Sequence, residues 1–263
     1  MLYSFGANGG NPGAGLTLDK HGSLYSTLTM GQVYELVRGT SGWTEKTLHN
    51  FTFGKNGCEP IAALVLDVSG NLYGTTSGCG NYNGGTVFEL LHGTWKEKTL
   101  YAFRCGADSC NPFAGVAFDK AGNLYGTTRF GDGYGTVYKL TRQARGQWKE
   151  TVLHRFKGGR DGREPLSGLV FDKAGSLYGT TDRGGSSACA GYGCGIVFKL
   201  TPGSGGRWNE KVLYAFKGGS DGSHPAGSLA IDSPGNLYGT AVLGGNPGCL
   251  YNAGCGVVFE ITP

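Results

Sequence analysis

One short phrase returns five times along the chain. It reads GSLYSTL, GNLYGTT, GNLYGTT, GSLYGTT and GNLYGTA, and it opens at Gly22, Gly70, Gly122, Gly175 and Gly235. Successive copies are separated by 48, 52, 53 and 60 residues. Repeats of this length with strand patterning rather than helical periodicity are typical of small sheets packed side by side. The repeat therefore predicts an all-β, five-bladed β-propeller.

Each repeat contains four strand-like runs, seen best in the fourth as LSGLVFD, SLYGTT, GIVFKLT and RWNEKVLYAF. We expect one domain over 1–263, with four antiparallel strands in each blade. The last repeat stops after its third run, and residues 2–5 (LYSF) match the end of a fourth. This N-terminal strand is expected to complete the last blade and close the ring. The expected blades cover residues 14–51, 61–103, 113–156, 166–216 and 226–263, the last together with 1–5.

Composition excludes several classes of protein. The 23 Lys+Arg and 19 Asp+Glu residues give a net charge of +4 and are scattered, so nucleic-acid binding has no support. There is no apolar run long enough to span a membrane, and the start MLYSF lacks the regions of a signal peptide. Gly accounts for 51 residues, but 39% of the chain is hydrophobic, which favours many short strands over disorder.

Eight cysteines fall in glycine-rich loops, most of them close together in sequence. An even number in such loops favours disulfides and an oxidising compartment over zinc, since no His ligands stand nearby. We therefore expect a secreted or cell-surface protein whose leader is absent from this sequence. The expected disulfide cysteines are Cys58, Cys79, Cys105, Cys110, Cys189, Cys194, Cys249 and Cys255.

The loop before each first strand aligns without gaps and ends in proline. The preceding residue is expected at the rim of a central channel, where carboxylates, an imidazole and amides would suit acid/base chemistry or a cation. The alternative is that these are solvated loop tips. Glu164 and Glu59 are the candidate catalytic carboxylates and His224 the candidate proton shuttle. Arg160 and Arg163 are expected to position an anion or hold Glu164. The five residues are Asn11, Glu59, Asn111, Glu164 and His224.

Two further sets of residues recur in the repeats. Three residues earlier in the same loops is an Asn or Asp, interpreted as a turn former, with calcium binding as the alternative. An Asp that follows each first strand, separated from a glycine by two residues, is interpreted as a turn cap. The first set is Asn8, Asn56, Asp108, Asp161 and Asp221, and the second is Asp19, Asp67, Asp119, Asp172 and Asp232.

Aromatic residues also occur outside the strand pattern, in the loops after the repeated phrase. Tyrosine beside Asn and Gly is the composition with which proteins stack on sugar rings and bind their hydroxyls. The alternative is that these rings simply pack over loop glycines. The loop aromatics are Tyr82, Phe130, Tyr134, Tyr192 and Tyr251, and the candidate ligand-binding set is Asn11, Asn111, Tyr82, Arg129, Tyr134, Arg163, Tyr192 and Tyr251.

The phrase GNLYGTT, followed by a glycine-rich loop and GTVFEL or GTVYKL, resembles the GloVer-type tandem repeat of bacterial extracellular proteins. The match covers essentially the whole chain. The resemblance implies an extracellular repeat domain and transfers no catalytic residues. The first repeat departs from it, because LYSTLTMGQVYEL leaves almost no loop between its second and third strands. This predicts a notch beside Asn11, bounded by Tyr251 and Tyr82.

Two functions remain open from the sequence. The first is a secreted bacterial glycan-binding, lectin-like propeller that is monomeric and uses several weak sites together on the loop face stapled by disulfides. It is expected to need no cofactor, with calcium as the alternative. The second is a glycan-active hydrolase or lyase with Glu164 and Glu59 as an acid/base pair and His224 in support. No nucleotide-binding, zinc-protease or serine-hydrolase motif is present. The first hypothesis predicts retention on a polysaccharide, and the second predicts release of fragments.

Overall fold

The computed structural model describes residues 1–6, 10–106, 109–131, 133–246, 248–249 and 254–263. Internal contacts divide the chain into two compact units, residues 1–116 with 142–149 and residues 117–141 with 150–263. Strands dominate both. The helical structure of the described part is confined to single 3-10 turns at Ala144–Gly146, Gly159–Asp161, Ser204–Gly206 and Gly219–Asp221.

The first unit contains two four-stranded antiparallel sheets, each built in chain order. The first comprises β1 (Thr17–Leu18), β2 (Leu24–Leu28), β3 (Gln32–Gly39) and β4 (Gly42–Asn50). The second comprises β5 (Val65–Leu66), β6 (Leu72–Thr76), β7 (Asn83–Leu91) and β8 (Lys96–Arg104).

Three more sheets follow in the same chain order. The third comprises β9 (Ala117–Phe118), β10 (Leu124–Thr128), β11 (Thr136–Arg142) and β12 (Trp148–Arg155). The fourth comprises β13 (Val170–Phe171), β14 (Leu177–Thr181), β15 (Ile196–Pro202) and β16 (Trp208–Ala215). The last has β17 (Ala230–Ile231), β18 (Leu237–Ala241) and β19 (Val257–Ile261). Five consecutive sheets of this kind are the blades of a five-bladed β-propeller, which confirms the predicted fold class.

The predicted fourth strand of the last blade is not formed. Residues 1–6 lie outside any strand, and the last sheet has three strands. Tyr3 and Phe5 pack instead on the core of the first sheet, where the Phe5 ring lies 4.9 Å from that of Tyr34. Phe51, which directly follows β4, makes the same kind of contact with Phe88 at 4.7 Å. The likeness of LYSF to the fourth runs therefore reflects aromatic packing rather than strand pairing.

The glycine of the repeated phrase makes room for an aromatic ring. Gly179 on β14 pairs with Phe198 on β15, and a β-carbon at Gly179 would lie 2.7 Å from Phe198 Cζ. Gly74 has the same relation to Phe88, at 2.6 Å. A ring that covers a cross-strand glycine fills the space left by the missing side chain. The phrase is thus a packing device in the middle of each blade.

The recurrent aspartates cap turns, as predicted. The Oδ1 atom of each accepts two backbone N–H bonds from its own turn, and Oδ2 accepts a bond from the tyrosine hydroxyl of the repeated phrase. Burial acts to raise the pKa of the Asp172 carboxyl, but hydrogen bonds from Ser176 and Tyr178 outweigh it and lower that pKa. These carboxylates are therefore committed to the fold.

Glu210 on β16 makes stability depend on pH. Its Oε1 atom is buried and has no hydrogen-bond partner in the part of the chain that the structure describes, and burial together with the charge of Asp161 raises its pKa to about 7 from an ordinary value of 4.5. The folded state holds the proton of the Glu210 carboxyl more tightly than the unfolded state does. The contribution of this protonated carboxyl to the free energy of unfolding is therefore present at pH 4 and is lost as the pH rises through 7. After discounting for its partial exposure, we expect E210Q to add about 1–2 kcal/mol to the free energy of unfolding at pH 8.

Thermal unfolding of E210Q and the parent protein at pH 4 and pH 8 checks this expectation. The melting temperature of the variant should rise by roughly 2–6 °C at pH 8 and change little at pH 4. An equal shift at both pH values would contradict an effect of ionisation.

Candidate functional site

The loop that ends in proline lies beside the loop that follows the repeated phrase in the same repeat. Arg163 N–H donates to Arg183 O at 3.0 Å, and Arg183 N–H donates to Arg163 O at 3.2 Å. Isolated bridges at the same position join Cys58 to Gly78 and Ser223 to Leu243, and in the first repeat a bridge shifted by two residues joins Pro12 to Leu28. The two kinds of loop therefore meet within each of these four repeats.

Four of the five residues before proline have left-handed backbone. The φ angles are 57° at Glu59, 56° at Asn111, 56° at Glu164 and 58° at His224. This region is unfavourable for side chains other than glycine, and asparagine tolerates it best. Backbone bonds hold it in place, as Glu164 N–H donates to Tyr134 O and Glu164 O accepts from Asp182 N–H, both at 2.9 Å. The backbone is therefore structural, while the side-chain identity varies from repeat to repeat.

Glu164 lies at the centre of a charged network. Its Oε2 atom accepts from Arg129 Nε at 3.1 Å and from Arg129 Nη2 at 2.9 Å, while Oε1 lies 3.5 Å from Arg183 Nη1. The Glu164 side chain is only 12% exposed. The expectation that Arg160 and Arg163 hold this carboxylate is wrong, because Arg129 and Arg183 approach it from the neighbouring loops.

Asp182 extends the network to the next repeat. Its Oδ2 atom lies 3.3 Å from Arg183 Nε, and its Oδ1 atom lies 3.1 Å from His224 Nδ1. A carboxylate on one ring nitrogen fixes the orientation of an imidazole and leaves the other nitrogen available. His224 is thus an oriented histidine rather than a free loop side chain.

Tyr192 stands at the tip of a short loop closed by a disulfide. Cys189 and Cys194 are bonded, Tyr192 N–H donates to Cys189 O at 3.1 Å, and Tyr192 O accepts from Gly184 N–H at 3.0 Å. Cys189 and Ala190 have left-handed backbone, with φ angles of 52° and 56°. Strain of this kind persists only where surrounding bonds enforce it. The loop therefore presents the Tyr192 ring, 58% exposed, in a fixed place.

Two arginines lie under that ring. The guanidinium carbon of Arg163 is 5.1 Å from the ring centroid, and that of Arg183 is 5.5 Å away. The Nε and Nη2 atoms of Arg163 are buried and have no hydrogen-bond partner among the described residues. We call Tyr192, Arg163, Arg183, Glu164, Asp182, His224 and Arg129 the loop site.

The other predicted ligand-binding residues have different surroundings. Tyr82 lies under the guanidinium of Arg104, which is 4.0 Å from its centroid. Tyr134 packs over Gly158, where a β-carbon would lie 3.2 Å from the ring. Asn111 donates from Nδ2 to Ser77 O at 2.8 Å, and the exposed Asn11 pairs through its backbone with Thr29. Tyr251 lies outside the described residues, as do Asn8 and Asp108.

Glu59, the second predicted carboxylate, accepts a hydrogen bond from Ser77 Oγ at 3.0 Å and is exposed. It belongs to the first unit, whereas Glu164 and His224 belong to the second. The pairing of Glu59 with Glu164 as acid and base stays a prediction.

Sequence reasoning missed Asp182 and Arg183. Both follow the repeated phrase directly, and Arg129, which it did find, stands at the register of Asp182 in the preceding repeat. The residue at this register is Thr29, Ser77, Arg129, Asp182 and Val242 along the chain. The change from neutral to charged residues at this position in the third and fourth repeats is the sequence signal that could have identified Asp182.

Three of the four expected disulfides are present. They join Cys58 to Cys79, Cys189 to Cys194 and Cys249 to Cys255. Cys105 and Cys110 are instead free thiols, the first exposed and the second buried, so the expectation of a fourth bond is wrong for this structure. Burial, with a hydrogen bond to Cys105, raises the pKa of the Cys110 thiol to about 12. Its thiol form is therefore favoured over the reactive thiolate.

A thiol titration without reductant tests this assignment. We expect Cys105 to react rapidly in the folded protein and Cys110 to react only after unfolding, because the thiolate is the nucleophile. Labelled peptides identified by mass spectrometry assign each thiol. Finding neither cysteine labelled in denaturant would show that the two are bonded to each other.

Two cavities lie among the capped turns. One of about 690 Å³ is lined by Asp119, Tyr125, Lys139, Asp172 and Trp208, and another, of about 600 Å³, includes Asp232. Their aspartates are already used by turn hydrogen bonds. A smaller space of about 430 Å³ lies beside Asn11, where the short first-repeat loop predicts a notch. The loop site is a surface feature with convergent charges.

No group of three or more His, Cys, Asp or Glu side chains within the described ranges is placed to hold a metal ion. Those ranges also contain no helix with the length and hydropathy of a membrane span.

Five blades, and loops from successive repeats that meet in a charged cluster, define a β-propeller of tandem repeats with a loop-borne candidate site. The chain belongs to the Gloeobacter/Verrucomicrobia repeat family, whose model matches residues 1–191 and 93–263. The resemblance expected from the sequence is thereby confirmed. No curated protein matches the chain.

Solved structures resemble this chain at low sequence identity, and the first of those described here shows the same fold. A gluconolactonase from Xanthomonas campestris matches with a TM-score of 0.57 and 13% identity, over 89% of this chain and 71% of its own. TolB from Acinetobacter baumannii matches with a TM-score of 0.49 and 15% identity, over 88% of this chain and 49% of its own. A putative oxidoreductase (glucose dehydrogenase) from Thermus thermophilus gives 0.44 and 14%, over 97% of each chain. These similarities concern the fold alone.

Proposed function

We propose that this protein is a secreted bacterial glycan-binding propeller whose loop site contacts the sugar. The observation that carries the proposal is the Tyr192 ring, 58% exposed and held between a disulfide and a backbone bond to Gly184. An aromatic ring fixed in advance loses little freedom on binding, and its face offers a flat apolar surface to the C–H groups of a sugar.

The polar groups beside the ring suit sugar hydroxyls. Arg183, Glu164, Asp182 and His224 present donors and acceptors that are already oriented by one another. A fixed network can exchange bonds with a ligand at little cost in reorganisation. The setting of Tyr192 differs from those of Tyr82 and Tyr134, so we expect the repeats to contribute unequally rather than as equivalent sites.

Three disulfides fit an oxidising compartment, which supports secretion. We propose a monomer that needs neither a cofactor nor nucleic acid.

A glycan-active enzyme is the second candidate, favoured by the Asp182–His224 pair. The 3.1 Å contact holds the imidazole in one orientation, as a general base requires. Glu164 fits a catalytic acid less well, because two arginines already occupy its oxygens. This candidate predicts that H224Q abolishes turnover with folding intact. Full turnover in H224Q would remove the histidine from the mechanism.

Incubation with a panel of soluble and insoluble polysaccharides separates the two candidates. Retention of the protein on a polymer without release of oligosaccharides, measured by mass spectrometry of the supernatant, supports binding. Release of defined fragments would replace the binding proposal by the enzymatic one. If the protein were not retained on any neutral or acidic polymer and released no fragments, both candidates would be contradicted.

A further inference from the structure

One guanidinium of the loop site differs from its neighbours in having no carboxylate partner among the described residues. Glu164 lies between Arg129 and Arg183, and Asp182 pairs with Arg183 and with His224. Arg163 forms no ion pair with a carboxylate in the described parts of the chain.

The Arg163 guanidinium also lacks acceptors. Its Nε and Nη2 atoms are buried, and buried donors without acceptors are unfavourable. The contact with the Tyr192 ring compensates only in part for the missing hydrogen bonds, since Arg183 lies near the same ring and its positive charge repels that of Arg163. An oxyanion that reached this guanidinium would pair its charge and supply the missing acceptors, and because Nε and Nη2 have almost no exposed surface, the Tyr192 side chain or the guanidinium itself has to shift to admit it.

We infer that Arg163 binds the carboxylate of a hexuronic acid residue, so that the glycan bound by this protein is acidic. This inference rests on the proposed function and specifies its ligand. A guanidinium is planar and matches a carboxylate with two parallel bonds, which a neutral hydroxyl cannot accept equally well. The sugar ring of the same residue lies against Tyr192, with its hydroxyls toward the network around Asp182.

The backbone pairing of Arg163 with Arg183 explains why both side chains lie near the Tyr192 ring. The two residues exchange backbone hydrogen bonds as an antiparallel pair, so their side chains leave the same side and run together beneath the ring. Arg183 Nε is also buried without a hydrogen bond among the described residues, but Arg183 is ion-paired with Glu164 and Asp182, whereas Arg163 has no such pair and is left for the ligand. The pair thus consists of a supporting arginine and a binding arginine.

Calorimetric titration with trigalacturonic acid and with its methyl ester tests the inference. We expect the acid to bind the parent protein at least tenfold more tightly than the ester, and R163Q to bind both with the affinity of the ester. R145Q, which removes an exposed arginine from the turn at residues 144–146, is the matched control and should keep the preference. Near-ultraviolet circular dichroism verifies that each variant is folded.

A sulfated polymer without carboxylates separates the two kinds of oxyanion. Carrageenan and agarose are compared in the same buffer, and we expect no gain from sulfate comparable to that from carboxylate. A preference for carrageenan alone would overturn the carboxylate assignment. Equal binding of acid and ester, or an acid preference that survives in R163Q, would overturn the inference and leave glycan binding intact. Failure to bind any of these sugars would instead contradict the proposed function itself.

Discussion

Replacing Gly179 by valine is expected to lower the free energy of unfolding by about 3 kcal/mol or more. The residue lies in the middle of β14, in which all five residues are buried, and the Phe198 ring fills the space above it. A β-carbon there would lie 2.7 Å from Phe198 and 3.0 Å from Leu169, and valine adds two methyl groups beyond it. For a chain of this size the melting temperature should fall by roughly 6–12 °C or more.

Gly6 to valine is the matched control for this substitution. Gly6 lies outside any strand, and a β-carbon there would have no atom within 4 Å. The control should change the free energy of unfolding by no more than about 0.5 kcal/mol. If G179V had the same melting temperature as the Gly6 control, the Phe198 ring would not be packed over Gly179, and the explanation of the repeated phrase would be wrong.

Replacing Tyr192 by alanine is expected to weaken binding to the polysaccharide on which the protein is retained by at least about tenfold, without unfolding the protein. The ring is 58% exposed, so little packing is lost, while the flat surface of the loop site disappears. Arg163 and Arg183 also lose their shared partner and become free to move. Affinity electrophoresis in gels that contain the polymer gives the ratio of dissociation constants.

Tyr134 to alanine is the control, because that ring is 39% exposed but packs over Gly158. We expect its affinity to change less than about threefold. A loss in Y134A as large as that in Y192A would indicate several equivalent sites rather than one dominant site. Unchanged affinity in Y192A would remove the loop site from binding altogether.

The repeated phrase was sufficient to predict the blades, because its strand patterning and its glycine recur at a fixed register. It was not sufficient to predict the number of strands in the last blade. The likeness of LYSF at residues 2–5 to LYAF at residues 213–216 specifies an aromatic contact but does not specify backbone hydrogen bonds. Phe5 packs on Tyr34 as Phe51 packs on Phe88, and only the backbone shows that no fourth strand forms. Hydrophobic pattern and strand pairing are separate properties here.

The candidate site was predictable in its location but not in its pairings. The alignment of the loops placed Glu164 and His224 correctly in one kind of loop, and Tyr192 in the other. The partner of Glu164 could not be read from its own loop, because Arg129 is 35 residues away and belongs to the preceding repeat. Side chains on successive blades meet through the tertiary fold, which local sequence does not encode.

Hydrogen–deuterium exchange of the parent protein, with and without saturating amounts of the polysaccharide that retains it, tests the central claim most directly. The account predicts slower exchange in residues 159–165 and 183–194, the two loops that form the site around Tyr192, and unchanged exchange in the capped turn at residues 172–176. Protection confined to the capped turns, or no protection in residues 183–194 at saturation, would contradict the claim that the loop site binds the glycan.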